Sequence, residues 1–383
     1  MKRRIAILTN YPADLKSFTG GVETATQGLL EGLKKYQNEF DFQIISLSKI
    51  INKDLEISHD GYAFHFLAVP KNLLLKPHLP YNILKTLFKL KKLKPDLIHC
   101  QDNMALAVAT ILGGYPRIFT IHGVKKLEAK LWKGKEYLSH QMDRILEWFV
   151  HRNFNYFIAI SPHISSLLNN KKAIFNIPNP ISGNFFASKT PAVLGKSSKN
   201  RYLLYIGPIV YLKQVHILVK AFLKIKKEHK NLQLIICGNQ EDEKYLRELK
   251  KIIKENGING IRFIEHLSRE ELIEYTKGAL ALVLPSLQEN SPMVIAEAMA
   301  LGTPIIATRV GGIPYMVEDK KTGLLFNPGD YESLSSCIKL LIENNDLRKK
   351  IGCAAFKLAR NLHNPDRIAE LTVNVYKVML RKN

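Results

Sequence analysis

The sequence predicts an α/β protein made of two domains, each a parallel sheet covered by helices. The first observation is length, because 383 residues are enough for two domains of ordinary size. The second is pattern, because short apolar runs typical of buried strands alternate with stretches typical of amphipathic helices. The third is the segment 182–200, which contains Ser, Lys, Pro and Gly but no acid, and which separates two such blocks. We therefore expect an N-terminal domain over 1–181, a linker over 182–200 and a C-terminal domain over 201–363.

Composition excludes several classes of protein. An apolar share of 46% supplies two hydrophobic cores and excludes a disordered chain. The four cysteines form no Cys-x-x-Cys pair and no metal-binding cluster with histidine, so we expect Cys100 and Cys237 to be core residues in a reducing, cytoplasmic setting. The first apolar run ends at Leu8, too short for a signal peptide, and no run is long enough to span a bilayer.

The net charge of +22 is concentrated in the first half of the chain. Residues 1–200 hold 28 Lys and Arg against 14 Asp and Glu, and the stretch from Gly61 to Pro95 holds seven Lys and no acid. A positive excess of this size indicates an anionic partner.

A basic amphipathic helix is predicted within 71–95, where leucines and Phe88 alternate with lysines. Two interpretations of it carry equal weight. It is a crossover helix that packs on the sheet with a solvated lysine face, or it presents a face to an anionic membrane surface.

Two positions in the N-terminal block lie where an α/β sheet binds ligands. Gly20 and Gly21 stand between the first strand and the first helix, and a helix that begins after a glycine turn favours a phosphate. His122 stands at the carboxyl end of the strand predicted over 117–123, and ligands of open α/β sheets bind beyond such ends.

The C-terminal block contains the most informative stretch, 284–327. A strand over 281–285 is followed by a polar turn, and Ser291 with Pro292 predicts a helix start, with Ser as the cap and Pro at the first position. Glu289 lies above the strand end and Glu297 lies eight positions later, inside the helix. A helix start favours a phosphate and carboxylates accept from hydroxyls, so together they indicate a nucleotide sugar.

These residues resemble the signature of glycosyltransferase family 4, whose members are retaining enzymes with the GT-B fold. The resemblance rests on the Glu289–Glu297 pair, the Glu-Ala-Met-Ala helix, the Gly-x-Pro-x-Ile segment that begins at Gly302, and the Gly311-Gly312 turn. It implies two Rossmann-like domains that face each other across a cleft, an acceptor domain and then a donor domain, with the helix over 364–383 packing back on the first. The alternative is a buried strand–helix–strand unit with two solvated glutamates.

The resemblance also implies a role for each site residue. Glu289 would hold sugar hydroxyls, Glu297 the ribose, Lys213 the departing diphosphate, and His122 a hydroxyl of the transferred sugar. Further donor contacts would come from Gly20, Gly21, Asn290, Ser291, Pro292 and Met293. No metal or cofactor is expected, because the sequence has no Asp-x-Asp near a strand end, and the donor itself is the nucleotide-diphosphate sugar.

The chain departs from the family at the diphosphate-binding segment. Pro208 stands where the family has Arg, and Gln214 stands where it has the Gly after the lysine. Loss of one charge-assisted hydrogen bond, about 1.5–3 kcal/mol, would lower turnover roughly tenfold to a hundredfold. Activity would then be lower, the phosphate would be held differently, or catalysis would be lost.

The resemblance implies transfer of a hexose-type sugar to a glycan or lipid-linked acceptor, with the protein in the cytoplasm at the inner face of the membrane. Other functions are suggested by single features of the sequence. Pro208 suggests a sugar-nucleotide or glycan-binding protein with weakened catalysis. The charge alone suggests nucleic-acid binding, but no helix-turn-helix, zinc finger or RNA-binding aromatic stripe is present, so no nucleic-acid partner is expected. An epimerase of the same fold would lack this Glu pair and the Lys213 pattern.

Overall fold

The computed structural model describes residues 2–18, 20–70, 79–101, 103–124, 135–168, 172–194, 202–240, 242–257 and 259–381. The chain forms two compact units. Unit 1 consists of Met1–Ser182 together with Pro365–Asn383, and unit 2 consists of Gly183–Asn364. Each unit is a sheet with helices packed on it, which confirms the predicted α/β class.

Unit 1 contains an eight-stranded sheet with the order β3-β4-β2-β1-β5-β6-β7-β8. All neighbours are parallel except β3 and β4. The strands are β1 Arg3–Thr9, β2 Phe40–Ser48, β3 Leu55–His59, β4 Tyr62–Ala68, β5 Leu97–Gln101, β6 Arg117–Ile121, β7 Tyr156–Ala159 and β8 Ala173–Asn176. The helices that join them are α1 Gly21–Leu33, α2 Leu79–Leu93, α3 Met104–Gly113, α4 Lys135–Asn153 and α5 Pro162–Ser166.

Alternation along the central strand β1 creates two separate cores in unit 1. Ile5 and Ile7 point to the layer that contains α1 and the last helix of the chain. Ala6 and Leu8 point to the layer that contains α2, α3, α4 and α5. Because side chains of a strand alternate between its two faces, one apolar run fills both cores.

Unit 2 contains a six-stranded, fully parallel sheet with the order β11-β10-β9-β12-β13-β14. The strands are β9 Tyr202–Ile206, β10 Gln233–Cys237, β11 Ile261–Ile264, β12 Ala281–Leu284, β13 Ile305–Thr308 and β14 Leu324–Phe326. The helices are α6 Val215–Glu228, α7 Glu243–Glu255, α8 Arg269–Gly278, α9 Met293–Leu301, α10 Ile313–Met316, α11 Tyr331–Glu343 and α12 Asn345–Leu362.

The last helix, α13 (Pro365–Arg381), belongs to unit 1, where it packs on α1. Gly32 on α1 allows the close approach, since a Cβ there would lie 2.1 Å from the carbonyl oxygen of Pro365. Buried Tyr376 on α13 places its hydroxyl 2.6 Å from Nδ1 of His99. The chain therefore returns to its first unit after completing the second.

The segment proposed as a linker differs from expectation in its first part. Short 3-10 helices form over Gly183–Phe186 and Ala192–Leu194. Phe185 and Val193 are buried, so this part packs into unit 2 because its apolar side chains outweigh its Ser, Pro and Gly content. Residues 195–200 of the proposed linker, and 71–78 of the proposed basic helix, lie outside the described residues.

Candidate functional site

The sheet of unit 2 changes direction between β9 and β12. From β9 the chain proceeds to β10 and β11 on one side, and from β12 it proceeds to β13 and β14 on the other. Ligands of open α/β sheets bind beyond the carboxyl ends of the strands at such a switch point. Pro208 and Lys213 follow β9, and Glu289 follows β12. The predicted site residues of unit 2 thus follow the two strands at which a ligand is expected.

Lys213 and Glu289 meet directly. The Nζ of Lys213 lies 2.6 Å from Oε1 of Glu289, and the hydroxyl of Ser286 donates to the same oxygen at 2.8 Å. In the described part of the chain, Oε2 of Glu289 has no hydrogen-bond partner. The ion pair therefore orients the carboxylate and leaves one of its oxygens available as an acceptor.

The backbone around Glu289 is held from three directions. The amide of Leu287 donates to the carbonyl of Leu212 at 2.9 Å, and the amide of Gly312 donates to the carbonyl of Glu289 at 2.9 Å. Thr308 donates its hydroxyl to the carbonyl of Ser286 at 2.7 Å. Gly311 has φ +50, and a Cβ there would lie 1.9 Å from the carbonyl oxygen of Glu289. The glycine is thus required for the close approach that fixes Glu289.

The helix start beside Glu289 differs from the predicted one by a residue. α9 begins at Met293, and Pro292 occupies the cap position. Ser291 therefore does not cap the helix, and its hydroxyl donates instead to Sδ of Met316 at 3.7 Å. The capping prediction was wrong because Pro292, at φ −66 and ψ 118, takes the extended conformation of the cap residue.

Polar groups at this helix start lack partners in the described structure. The amides of Met293 and Val294 donate to no acceptor among the described residues, and the buried Oδ1 of Asn290 accepts from no donor among them. Buried polar groups without a partner are rare in proteins. Their concentration beside Glu289 indicates a place where a polar ligand supplies the missing bonds.

Glu297 lies on α9 and is buried. Burial raises the pKa of its carboxyl to about 7, against the charge of Arg269, which lowers it. A buried carboxyl with a pKa near 7 is typical of functional sites. In its ionised form it accepts from hydroxyl groups, as a ribose would require.

The two departures from the family pattern differ in their surroundings. Pro208 is exposed two residues after β9, and its carbonyl accepts from the hydroxyl of Tyr205 at 2.8 Å. Its ring carries no hydrogen-bond donor. Gln214 has φ +48 and ψ +40, a left-handed conformation that glycine adopts with less strain. The Gln214 side chain is buried, and its Oε1 has no donor among the described residues.

Gly20 and Gly21 lie at the start of α1 in unit 1. The amide of Gly20 donates to Oε2 of Glu23 at 3.2 Å, so it already has an acceptor within the chain. Gly21 is the first residue of the helix, and its amide has no acceptor among the described residues. Of the two predicted phosphate-binding amides, the Gly21 amide is therefore the one that is open.

His122 follows β6 and joins a chain of hydrogen bonds in unit 1. Its Nε2 lies 2.7 Å from Oε1 of Gln101, and Nε2 of Gln101 lies 3.3 Å from Nε2 of His99. His99 also contacts the hydroxyls of Thr120 and Tyr376, each at 2.6 Å. Burial lowers the pKa of His122 to about 4 and that of His99 to about 3, so both rings are neutral at physiological pH.

A small cavity borders this network. Its volume is about 20 Å³, which is room for about one water molecule. Its polar lining comes from His99, Gln101, Thr120, His122, Asn179 and Thr372.

Two contacting side chains were absent from the predicted site. Ser286 donates to Glu289, and Gln101 bonds His122. Each stands at or just after the carboxyl end of its strand, which is the signal that could have identified both. The structure brings Lys213, Glu289 and the helix start at Met293 together in unit 2, whereas Gly20, Gly21 and His122 lie in unit 1.

One group of potential metal ligands occurs among the described residues, away from these strand ends. Ligand atoms of Glu228, His229 and Glu343 lie within 4.8 Å of one another. Lys339 pairs with both carboxylates, at 2.5 Å and 3.8 Å, and so already offsets part of their charge. Separately, no helix in the described part of the chain is long and apolar enough to span a bilayer.

Comparison with known proteins identifies both units. The family model described as Glycosyltransferase Family 4 matches residues 19–182, and the model described as Glycosyl transferases group 1 matches residues 187–358. An uncharacterized glycosyltransferase of Methanocaldococcus jannaschii is 25% identical, with 98% of this chain and 98% of that protein covered.

Solved structures match over nearly the whole chain. Sucrose-phosphate synthase from Thermosynechococcus elongatus has a TM-score of 0.83 at 19% identity and covers 100% of both chains. The Anabaena protein HepE, solved with UDP-glucose, has a TM-score of 0.72 at 18% identity and covers 98% of this chain and 99% of its own. Both family models, the two α/β units and the Glu289–Glu297 loop and helix agree, and the chain belongs to glycosyltransferase family 4 with the GT-B fold.

Proposed function

We propose that this chain is a retaining, metal-independent glycosyltransferase. It moves a hexose-type sugar from a nucleotide-diphosphate sugar to a hydroxyl of a glycan or lipid-linked glycan. The observation that carries the proposal is the pairing of Lys213 with Glu289 at the switch point of the unit 2 sheet, beside a helix start with open amides. HepE, which has the same fold, was solved with UDP-glucose, and this supports a donor of that class.

Three groups of unit 2 bind different parts of the donor. Glu297, buried on α9, accepts from the ribose hydroxyls. The open amides at Met293 and Val294 favour negative charge, as the positive end of a helix does. Glu289 accepts from sugar hydroxyls through Oε2, while Lys213 moves from the carboxylate to the departing diphosphate and stabilises the charge that develops there.

Two groups of unit 1 complete the proposed assignment. The neutral ring of His122 offers one nitrogen to Gln101 and its other nitrogen to a sugar hydroxyl. The open amide of Gly21 adds a donor for a diphosphate oxygen, with Gly20 held in place by Glu23. The acceptor hydroxyl attacks from the face that the nucleotide leaves, which retains the anomeric configuration without a side-chain nucleophile.

Replacement of Glu289 tests the assignment. In Glu289→Ala the sugar loses its carboxylate and Lys213 loses its partner, so we expect transfer to fall at least about a hundredfold, the equivalent of about 3 kcal/mol in the transition state. A mass-spectrometric transfer assay measures it, with circular dichroism to show that the fold persists. Glu255→Ala, on the exposed side of α7, is the matched control and should transfer normally. Near-normal turnover in Glu289→Ala would remove the residue from the mechanism.

The second candidate is a catalytically weakened protein that binds sugar nucleotides or glycans. It is favoured by Pro208, which supplies no donor where the family has Arg. Turnover of any common donor, including its hydrolysis without an acceptor, would show that the chain is an enzyme. Binding without turnover across the panel decides for the second candidate.

The proposal extends to location. A lipid-linked acceptor would place the protein in the cytoplasm, at the inner face of the cell membrane. The net charge of +22 supports an anionic surface there as its partner. Fluorescence anisotropy with duplex and single-stranded nucleic acid tests the other anionic partner, for which no binding is expected.

A further inference from the structure

Helix α2 buries Leu90 in the core of unit 1 but also carries apolar side chains on its outer side. Tyr81, Leu84 and Phe88 are exposed, and 73% of Phe88 is accessible. They stand three and four residues apart and so form one stripe along the helix. The residues that α2 buries instead include the polar Asn82, Thr86 and Lys89. A helix that buries polar groups while its largest rings face outward indicates that a partner binds its outer side.

Unpaired lysines flank this stripe on both sides. At about 100° per residue, Lys91 lies about 60° to one side of Phe88 and Lys92 about 40° to the other. Both are exposed, and no carboxylate of the described residues forms an ion pair with either. Lys85 and Lys89, by contrast, pair with Asp54 and Glu56 at 2.6 and 2.5 Å.

The neighbouring helices continue the pattern. α2, α3 and α4 pack side by side on one face of the unit 1 sheet. Leu112 on α3 and Ile145 and Trp148 on α4 are exposed, with 62% of Trp148 accessible. The Arg152 guanidinium lies 5.7 Å from the centre of the Trp148 ring. The outer face of unit 1 is defined here as Tyr81, Leu84, Phe88, Leu112, Ile145 and Trp148.

Phe88 and Trp148 lie at a similar height on this face. Phe88 precedes the start of β5 at Leu97 by nine residues, and Trp148 precedes the start of β7 at Tyr156 by eight. Helices that connect parallel strands run back in the same direction, and Phe88 and Trp148 each lie five residues before the last residue of their helix, so we expect the two rings at similar levels. The two largest exposed rings can therefore meet one plane.

The charge of the outer face indicates which kind of partner binds it. The described residues of α2 and α3 include no acid. α4 contains three acids, Glu136, Asp143 and Glu147, of which Asp143 is partly buried and Glu147 is buried. Apolar rings bordered by lysine and arginine are typical of segments that lie in a membrane interface with anionic lipid. We infer that the outer face docks on an anionic lipid bilayer, with Phe88 and Trp148 at the boundary between headgroups and acyl chains. The inference deepens the proposed function, because it names the surface through which a lipid-linked acceptor would be approached.

Intrinsic fluorescence provides a direct test. The chain has two tryptophans, so Trp132→Phe leaves Trp148 as the only one. With vesicles that contain phosphatidylglycerol we expect its emission to shift to the blue and to be quenched by brominated acyl chains, and we expect high salt to reverse both effects. Unchanged emission with these vesicles, or an equal shift with phosphatidylcholine alone, would overturn the inference.

Paired variants test which residues dock. Lys91→Glu/Lys92→Glu should lower the fraction that sediments with anionic vesicles by about fivefold per lysine or more. Phe88→Ser/Trp148→Ser should lower it by roughly tenfold or more. The matched control is Ile50→Ser/Val378→Ser, which removes exposed apolar side chains elsewhere in unit 1, including α13 on the other face of the sheet. A control that lowers sedimentation equally, or outer-face variants that sediment like the unmodified chain, would contradict the assignment.

Two further measurements separate this inference from its alternatives. If gel filtration shows a dimer that Phe88→Ser/Trp148→Ser converts to a monomer, a second copy covers the outer face and the lipid assignment fails. Glu289→Ala should lose transfer but keep vesicle binding, because it lies in unit 2. If the outer-face variants lose vesicle binding but still hydrolyse the donor, the inference is supported. This result would hold even if the acceptor is not a lipid-linked glycan.

Discussion

Burial of Glu297 connects one residue to the stability of the whole chain. Its pKa is raised from 4.5 to about 7, chiefly by desolvation. Below pH 4.5 the carboxyl is protonated in both the folded and the unfolded chain. Between 4.5 and 7 the unfolded chain releases its proton first, so the free energy of unfolding decreases as pH rises, by at most about 3 kcal/mol.

Glu297→Gln removes this titration. We expect the variant to gain stability relative to the unmodified chain as pH rises from about 5 to about 8, with most of the gain complete just above pH 7. Chemical denaturation at the two pH values measures it. Glu255→Gln, at an exposed position, should show no such change. If the free energy of unfolding of Glu297→Gln differs from that of the unmodified chain by the same amount at both pH values, the Glu297 carboxyl is not buried in this way.

Pro208 can be converted to the residue that the family pattern calls for. Position 208 is exposed and follows β9 at the switch point, so an arginine there would have room beside the proposed diphosphate site. We expect Pro208→Arg to raise transfer roughly tenfold to a hundredfold, because it adds one charge-assisted hydrogen bond to the leaving group. Pro208→Ala is the control for the loss of proline alone. Equal turnover in both variants would mean that another group already binds the diphosphate.

Among single residues, the sequence identified those that belong to a motif with a fixed spacing. Glu289 and Lys213 were named from the pattern, and the structure places them 2.6 Å apart. Ser286 and Gln101 were missed, because serine and glutamine at strand ends are common and only the folded chain shows which oxygen each contacts. The consequence of Gln214 was also hidden, since a left-handed backbone is not visible in a glutamine.

At the scale of the element, the loop between β12 and α9 depends on a glycine from another loop. In Gly311→Ala the new Cβ would lie 1.9 Å from the carbonyl oxygen of Glu289, which is backbone and cannot rotate away. We expect the Glu289 loop to shift and transfer to fall by about a hundredfold, since small displacements of positioning groups have effects of that size.

A matched control distinguishes the displacement of Glu289 from the backbone strain that alanine introduces at a left-handed glycine. Gly329 has φ +80, also left-handed, but a Cβ there meets no atom within 4 Å. Gly329→Ala therefore carries the same kind of backbone strain, about 1 kcal/mol, without displacing Glu289. Transfer should remain normal in Gly329→Ala. If both variants lose transfer equally, strain rather than the position of Glu289 is responsible.

Element boundaries show where sequence analysis reaches its limit. Ser291 and Pro292 fit a helix start, but a one-residue difference moves the cap to Pro292 and turns the serine hydroxyl to Met316. The segment 183–194 has the composition of a linker, yet Phe185 and Val193 find apolar partners in unit 2. Both errors arise because tertiary contacts decide local conformation where the sequence permits two.

At the scale of the molecule, two topological switch points organise the predicted residues. In unit 2 the strands diverge between β9 and β12. In unit 1 they diverge between β1 and β5, beyond which lie the predicted Gly20 and Gly21 and also Gln101, which was not predicted; His122 follows β6, the next strand. Alternating strands and helices were enough to predict two such sheets. The order of the strands was not predicted, because it depends on which crossover packs on which face. The return of the last helix to unit 1 was expected from the family resemblance, but the contacts of Gly32 and Tyr376 that hold it there appear only in the folded chain.

The central claim is that unit 2 binds a nucleotide sugar with Glu297 on the nucleoside and Glu289 on the sugar. Calorimetric titration of the Glu297→Ala and Glu289→Ala variants, each with UDP and with UDP-glucose, tests this division most directly. We expect Glu297→Ala to weaken the binding of both ligands by about tenfold to a hundredfold, and Glu289→Ala to weaken only the binding of UDP-glucose by such a factor. Unchanged binding of UDP by Glu297→Ala, or equal weakening of both ligands by Glu289→Ala, would contradict it.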